Sequence, residues 1–136
     1  MYLLDTNVVS ELRRQRPNAA VVAWLSGMLT QELFIAAVTF GELQAGVELT
    51  RRHDPEKAEA IEGWIDSVAA SYSIIAMDEV IFRHWARLMH RRSDDLIEDA
   101  MIAATALVRN LTVVTRNLRD FQQFGVPTLN PFHRIA

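Results

Sequence analysis

The chain has 136 residues, half of them hydrophobic, and a formal charge of −3. This length suits one domain, residues 1–136, and no apolar run reaches the roughly 18 residues that a membrane span needs. A net negative charge argues against a protein that holds nucleic acid by bulk positive charge. Because the sequence has no cysteine and no leader pattern, we expect a cytoplasmic protein with no membrane contact.

Short apolar runs alternate with longer segments of helical period. The predicted strands are 2–5, 33–38, 72–76 and 111–115, with a brief fifth strand at 126–129. The predicted helices are 18–29, 40–51, 55–70, 79–92 and 95–109. Alternating strands and helices predict an α/β fold, a three-layer α/β/α sandwich around a parallel sheet of four to five strands.

Local signals support several of these boundaries. Asp54, which precedes Pro55, and Asp78 have the residue type and position of helix N-caps. Asn110 is placed to end the helix that precedes the fourth strand.

Acidic residues follow the first two strands. Asp5 ends the first strand, and Glu42 lies shortly after the second. Ligands of open parallel sheets bind beyond the carboxyl ends of the strands, so both acids are candidates for a site there. The alternative for Asp5 is a helix cap that accepts from backbone N–H groups near Asn7 or Val8. The alternative for Glu42 is a capping box with Thr39.

Two further acids belong to the last part of the chain. Asp99 lies in the first turns of a predicted helix, next to a face of small residues that suits close packing on the sheet. It could also belong to an acidic helix surface with Asp94, Asp95 and Glu98. Asp120 directly follows the fourth strand, where the alternative is a solvated turn residue and Asn117 is expected to cap the turn.

The four acids are therefore expected to share one crevice. Like charges at short range need a compensating cation to remain ionised together. Carboxylates suit Mg²⁺ or Mn²⁺, and no cysteine or paired-histidine motif offers a softer site. Hard cations in such a pocket favour phosphodiester chemistry, because they activate water and stabilise charge on the attacked phosphate.

The sequence resembles PIN-domain ribonucleases of the VapC type, the toxins of bacterial toxin–antitoxin pairs, in the branch that includes FitB. Four stretches that span almost the whole chain carry the resemblance: LLDTNVVSEL at 3–12, VTFGELQAGV at 38–47, EDAMIAATA at 98–106 and VVTRNLRDF at 113–121. Each stretch is weakly specific alone, but the four occur in the order of the family.

The resemblance implies a Mg²⁺- or Mn²⁺-dependent endoribonuclease that acts as a toxin. It implies a homodimer, silenced by a VapB/FitA-type antitoxin in a higher-order complex with operator DNA. By the resemblance, Thr6 orients ligands or water, Asn117 is a polar residue near the site, and Thr115 shapes the pocket. The implied metal ligands are Asp5, Glu42, Asp99 and Asp120. Whether Asp95 or Glu98 supports the ligands or acts as an occasional ligand is left open.

Other classes of function fit the residues less well. A haloacid-dehalogenase-like phosphatase needs a second aspartate where Asn7 stands, and a receiver domain needs a lysine after a late strand, whereas Lys57 is the only lysine. A PIN-type nuclease that is not a toxin and a non-catalytic PIN-like module remain alternatives. Arg116, Arg119 and the arginines of 13–16 are interpreted first as surface charges or contacts to an acidic partner, and second as groups that steer RNA phosphate.

Overall fold

The computed structural model describes residues 1–133 and contains one sheet of five parallel strands in the order β3-β2-β1-β4-β5. The strands are β1 (Tyr2–Leu4), β2 (Leu33–Ala36), β3 (Ser73–Ile75), β4 (Thr112–Val114) and β5 (Thr128–Leu129). All five strands predicted from the sequence are confirmed, each shorter than its apolar run.

Helices cover both faces of this sheet. They are α1 (Thr6–Glu11), α2 (Ala19–Ser26), α3 (Ala37–Arg51), α4 (Pro55–Ser71), α5 (Glu79–Met89), α6 (Ile97–Arg109) and α7 (Leu118–Gln122). Successive strand side chains point to opposite faces, so Leu3 packs with α5, α6 and α7 while Leu4 packs with α1, α2 and α4. The predicted three-layer α/β/α sandwich is confirmed.

The predicted helix ends are confirmed where a cap was recognised. The Asp54 side chain accepts from the backbone N–H of Lys57 at 3.1 Å, and the Asp78 side chain accepts from that of Ile81 at 2.9 Å. Asn110 ends α6 in a left-handed conformation with φ 56°.

Helices α1 and α7 and the early start of α3 are not in the sequence prediction. Helix α1 has only six residues, too few to show a period, and it is stabilised by burial of Val8 and Val9. Helix α3 begins at Ala37 rather than at residue 40, so the last part of the apolar run 33–38 is helical. An apolar run alone does not distinguish a buried strand from the first turn of a buried helix.

The sheet order places a switch point at the centre of the molecule. The chain moves from β1 to β2 and β3 on one side, whereas β4 and β5 lie on the other side of β1. The carboxyl ends of β1 and β4 therefore flank a crevice of the kind in which α/β proteins bind ligands. Within the described part of the chain, none of the helices combines the length and apolarity needed to cross a membrane.

Candidate active site

Asp5 occupies the switch point, and both of its carboxylate oxygens are held. It is 3% exposed, directly after β1. Its Oδ1 accepts from the backbone N–H of Thr6 at 2.7 Å, and its Oδ2 accepts from the hydroxyl of Thr115, which follows β4, at 2.8 Å. Asp5 therefore caps α1 through Thr6 rather than through Asn7 or Val8, and it also faces the crevice.

Glu42 reaches the same place from α3. Its Oε1 accepts from the hydroxyl of Thr6 at 2.9 Å. The capping box expected between Thr39 and Glu42 is wrong, because α3 begins at Ala37 and Thr39 already lies inside the helix. The buried Thr39 hydroxyl instead lies 3.1 Å from that of Thr6. Thr6 thus joins α1 to α3 and orients the Glu42 carboxylate.

Asp99 and Asp120 complete the set of acids. Asp99 lies in the first turn of α6 and Asp120 in α7, and both are partly buried. Burial and the negative charges of Asp5, Asp120, Glu42 and Glu98 raise the pKa of Asp99 to about 6. The carboxylates predicted from the sequence therefore act on one another, as expected for one shared crevice.

Burial also raises the pKa values of Asp5 and Glu42 above the usual range for carboxyl groups. For Asp5, the charge of Asp120 adds to the effect of burial, while the hydrogen bond from Thr115 opposes it. For Glu42, the charges of Asp5 and Glu98 add to burial, and the bond from Thr6 opposes it. The hydroxyl groups therefore offset part of the cost of keeping these carboxylates charged.

The structure distinguishes Glu98 from Asp95, the two neighbouring acids whose roles the sequence left open. Glu98, on the first turn of α6, contributes to the raised pKa of Asp99 and of Glu42. Asp95 is exposed in a short turn before α6 and is not among the charges that raise the pKa values of those acids. Glu98 is thus a fifth negative charge at the crevice.

Asn117 lies at the rim of the crevice. It is the N-cap residue of α7, as the sequence indicated, but its side chain makes no capping hydrogen bond. Its backbone N–H donates to the Thr115 hydroxyl at 2.9 Å. Because that hydroxyl also donates to Asp5, the start of α7 helps to orient the Asp5 carboxylate.

The donor set fits a hard divalent cation in its chemistry. The donors are carboxylate oxygens, and burial, with a further contribution from neighbouring negative charges, raises the pKa values of Asp5, Glu42 and Asp99. Among residues 1–133, no three acidic or histidine side chains are grouped closely enough to hold a metal ion as they are oriented. The four carboxylates therefore do not form a closed set of ligands in this structure, and their role as metal ligands stays a prediction.

Sequence reasoning missed a second buried carboxylate, Glu11, at the other end of α1. Glu11 is 5% exposed, and its Oε2 accepts from the backbone N–H of Asn18 at 3.2 Å. Its Oε1 lies 3.5 Å from Arg14 and 3.9 Å from Arg116. The only sequence signal was the run of arginines after Glu11, which indicated positive charge but not what it surrounds.

Comparisons with known proteins agree with this geometry. Residues 2–126 match the PIN domain family. The chain is 34% identical to Toxin FitB of Neisseria gonorrhoeae, over 98% of this chain and 99% of that protein. It is 31% identical to VapC ribonuclease Y4jK of Sinorhizobium fredii, over 97% of this chain and 98% of that protein. A solved structure described as FitAB bound to an IR36 DNA fragment superposes with a TM-score of 0.86 at 31% identity, covering 100% of this chain and 99% of that one.

Proposed function

This chain belongs to the PIN domain family, and from that premise we propose that it is an endoribonuclease, the toxin of a toxin–antitoxin pair, which cleaves RNA with the help of Mg²⁺ or Mn²⁺. One observation carries the proposal: Asp5, Glu42, Asp99 and Asp120 come from four separate parts of the chain and act on one another at the switch point of the sheet. A structural role does not require such a concentration of negative charge.

The proposed metal ligands are the same four carboxylates. A bound Mg²⁺ or Mn²⁺ would supply the Lewis acidity that activates water and stabilises charge on the attacked phosphate. The residues of the chain supply orientation. Thr115 and the N–H of Thr6 fix the two oxygens of Asp5, and the Thr6 hydroxyl fixes one oxygen of Glu42. Groups of this kind hold ligands in one orientation and tune their basicity.

The apolar residues of β1 and β4 that precede the site are buried, so the strands form a closed floor beneath Asp5 and Thr115. The partly buried Asp99 and Asp120 remain accessible from the rim. An RNA strand can thus lie across the carboxyl edge of the sheet with one phosphate over the acids.

The proposal includes partners. The similar structure is described as FitAB bound to a DNA fragment, and the similar FitB is named a toxin. We propose that this chain forms a homodimer, is silenced by a VapB/FitA-type antitoxin, and joins that antitoxin in a complex with operator DNA in the cytoplasm. Co-expression with the protein encoded by the adjacent reading frame should restore growth that this chain alone inhibits. Growth inhibition that no neighbouring gene relieves would argue for a nuclease outside a toxin–antitoxin pair.

Cleavage of total RNA tests the proposed chemistry. The wild-type protein should cut RNA with Mn²⁺ or Mg²⁺ and not with EDTA, and Asp5→Asn should lose the activity. Asp66→Asn, an exposed acid on α4, is the matched control and should cut like the wild type. Equal cleavage by Asp5→Asn would mean that the activity belongs elsewhere. No cleavage by any variant, with RNA still bound, would favour a non-catalytic PIN-like module.

A further inference from the structure

A groove of about 330 Å³ lies beside the acidic crevice, and three of its seven lining residues are arginines. Its lining residues are Asn7, Ser10, Glu11, Arg13, Arg14, Arg116 and Phe132. Ser10 and Arg13 also line a hollow of about 320 Å³ that contains Thr6 and Glu42. The groove of arginines and the crevice of acids therefore adjoin along α1.

Arg116 is held in place within this groove. Its guanidinium carbon lies 3.8 Å from the centroid of the Phe132 ring, a stacking arrangement. Phe132 is itself fixed, because its backbone N–H donates to the Asn130 side chain at 2.9 Å and its ring packs against the core. Stacking lowers the conformational entropy that the arginine would lose on binding a ligand.

Arg116 makes no side-chain hydrogen bond to any of the residues 1–133. Its approach to Glu11, at 3.9 Å, is too long for a hydrogen bond, and its side chain is 55% exposed. Guanidinium carries five N–H donors in a fork that matches phosphate oxygens. Arg14 and Arg13 add positive charge at the same groove, which leaves an excess over the single carboxylate of Glu11.

We propose that this groove binds the RNA phosphate next to the one that is cut, with Arg116 as the phosphate-binding residue and Glu11 as the residue that positions it. The inference rests on the proposed ribonuclease function. Single-stranded RNA carries phosphates at every nucleotide, so a strand whose cleaved phosphate lies over the acids must continue along one of the adjoining surfaces. Of the two hollows, the one lined by arginines has the charge that suits phosphate.

RNA binding by variants in the Asp5→Asn background tests the groove without cleavage. A fluorescently labelled single-stranded RNA is titrated at several KCl concentrations. Arg116→Ala should weaken binding roughly tenfold or more and reduce the slope of log affinity against log salt by about 0.7, the effect of one lost phosphate contact. Arg116→Lys should keep the salt slope but lose part of the affinity, because it keeps the charge and loses the fork. Arg83→Ala, a 71% exposed arginine on α5, is the control and should change neither.

Glu11→Gln separates a positioning role from simple repulsion. The substitution removes a negative charge near RNA, so repulsion alone predicts tighter binding. If Glu11 positions the arginines, the variant should bind RNA less tightly and raise KM for cleavage with little change in kcat. Glutamine still offers an oxygen to the N–H of Asn18, and thermal unfolding checks that the fold is retained.

The outcomes distinguish this inference from the proposed function. If the wild type cuts RNA and Arg116→Ala has unchanged affinity, salt slope and KM, the groove proposal is overturned while the nuclease stands. If no variant cuts RNA but Arg116 still governs RNA binding, the nuclease is overturned while the groove stands. If Arg116→Ala loses affinity for an acidic peptide and none for RNA, the groove is a protein site and the proposal is wrong.

Discussion

The two ends of α1 each carry a buried carboxylate, and they differ in what surrounds it. Asp5 precedes the helix and is surrounded by hydroxyls, an N–H group and further carboxylates. Glu11 ends the helix and is surrounded by a backbone N–H and the guanidinium groups of Arg14 and Arg116. Burial alone therefore does not mark a metal site. In the described part of the chain, the carboxylate at one end adjoins other negative charges, and the carboxylate at the other end adjoins guanidinium groups.

Substitution of acids near the two ends of α1 should distinguish residues needed for catalysis from residues with a supporting role. Asp99→Asn should lower the rate of RNA cleavage by on the order of 100-fold or more, because it removes a ligand from the acidic set. Glu11→Gln should keep most of kcat, since Glu11 does not face the acids. Single-turnover cleavage of one defined RNA measures both. Equal loss of kcat in the two variants would show that the ends are not distinct in function.

The free energy of unfolding should respond differently to substitution at the two ends of α1. Glu11→Ala should lower the free energy of unfolding by about 1 kcal/mol or more, because the partly buried N–H of Asn18 loses its partner. Asp5→Asn should not lower it in EDTA, because ionised Asp5 is disfavoured in the fold by burial and by Asp120. Urea unfolding measures both, with the exposed Glu48→Ala as a control for loss of a surface charge. Destabilisation of similar size by Asp5→Asn would contradict the comparison.

The hydroxyl that supports Asp5 can be removed alone. Thr115→Val should lower the free energy of unfolding by about 1 kcal/mol and weaken Mn²⁺ binding by roughly 10- to 100-fold, because Asp5 loses an orienting partner. Isothermal titration calorimetry measures the binding. Thr112→Val, at the opposite end of β4, should leave metal affinity unchanged. Equal affinities for all three proteins would show that Asp5 needs no orientation by Thr115.

The smallest expected effect is a dependence of metal-free stability on pH. The pKa of Asp99 rises from 3.8 to about 6 in the fold, so its ionised form is disfavoured there. The stability that protonated Asp99 contributes is present at low pH and is lost as pH rises through about 6. The Tm in EDTA should therefore fall between about pH 4 and pH 6, the interval between the unfolded and folded pKa values. Partial solvent screening of this group keeps the change small.

Asp99→Asn is the control for that pH dependence. The variant has no carboxyl group at this position, so its Tm should fall less over the same range. Addition of Mg²⁺ to the wild type should raise the Tm most at the upper end of the range, where the carboxylates are ionised. A Tm that rises with pH in EDTA would contradict the raised pKa.

The sheet and the location of the site could be predicted because both depend on strong patterns. Near-continuous apolar runs mark strands buried on both faces, and charges that follow them must lie at the sheet edge. Asp5 and Asp120 were found in this way. Their roles as metal ligands stay predictions, whereas the sharing of one crevice with Glu42 and Asp99 is supported by the charges that act on Asp99.

The parts that escaped prediction depend on contacts distant in sequence. Helix α1 is too short for its pattern to show, and it forms because Val8 and Val9 fill the core. The spacing from Thr39 to Glu42 fits a capping box, but the helix begins earlier, and both side chains serve the site through Thr6. The burial of Glu11 depends on a loop contact to Asn18 and on Arg116, more than a hundred positions away.

The bond between Thr115 and Asp5 ties the start of the chain to its last fifth. During translation, β1 emerges long before β4, its neighbour in the sheet, and Asp120 emerges later still. Asp5 is therefore made 110 residues before Thr115, and its surroundings stay incomplete until β4 has emerged. The acids of the crevice cannot come together before that point.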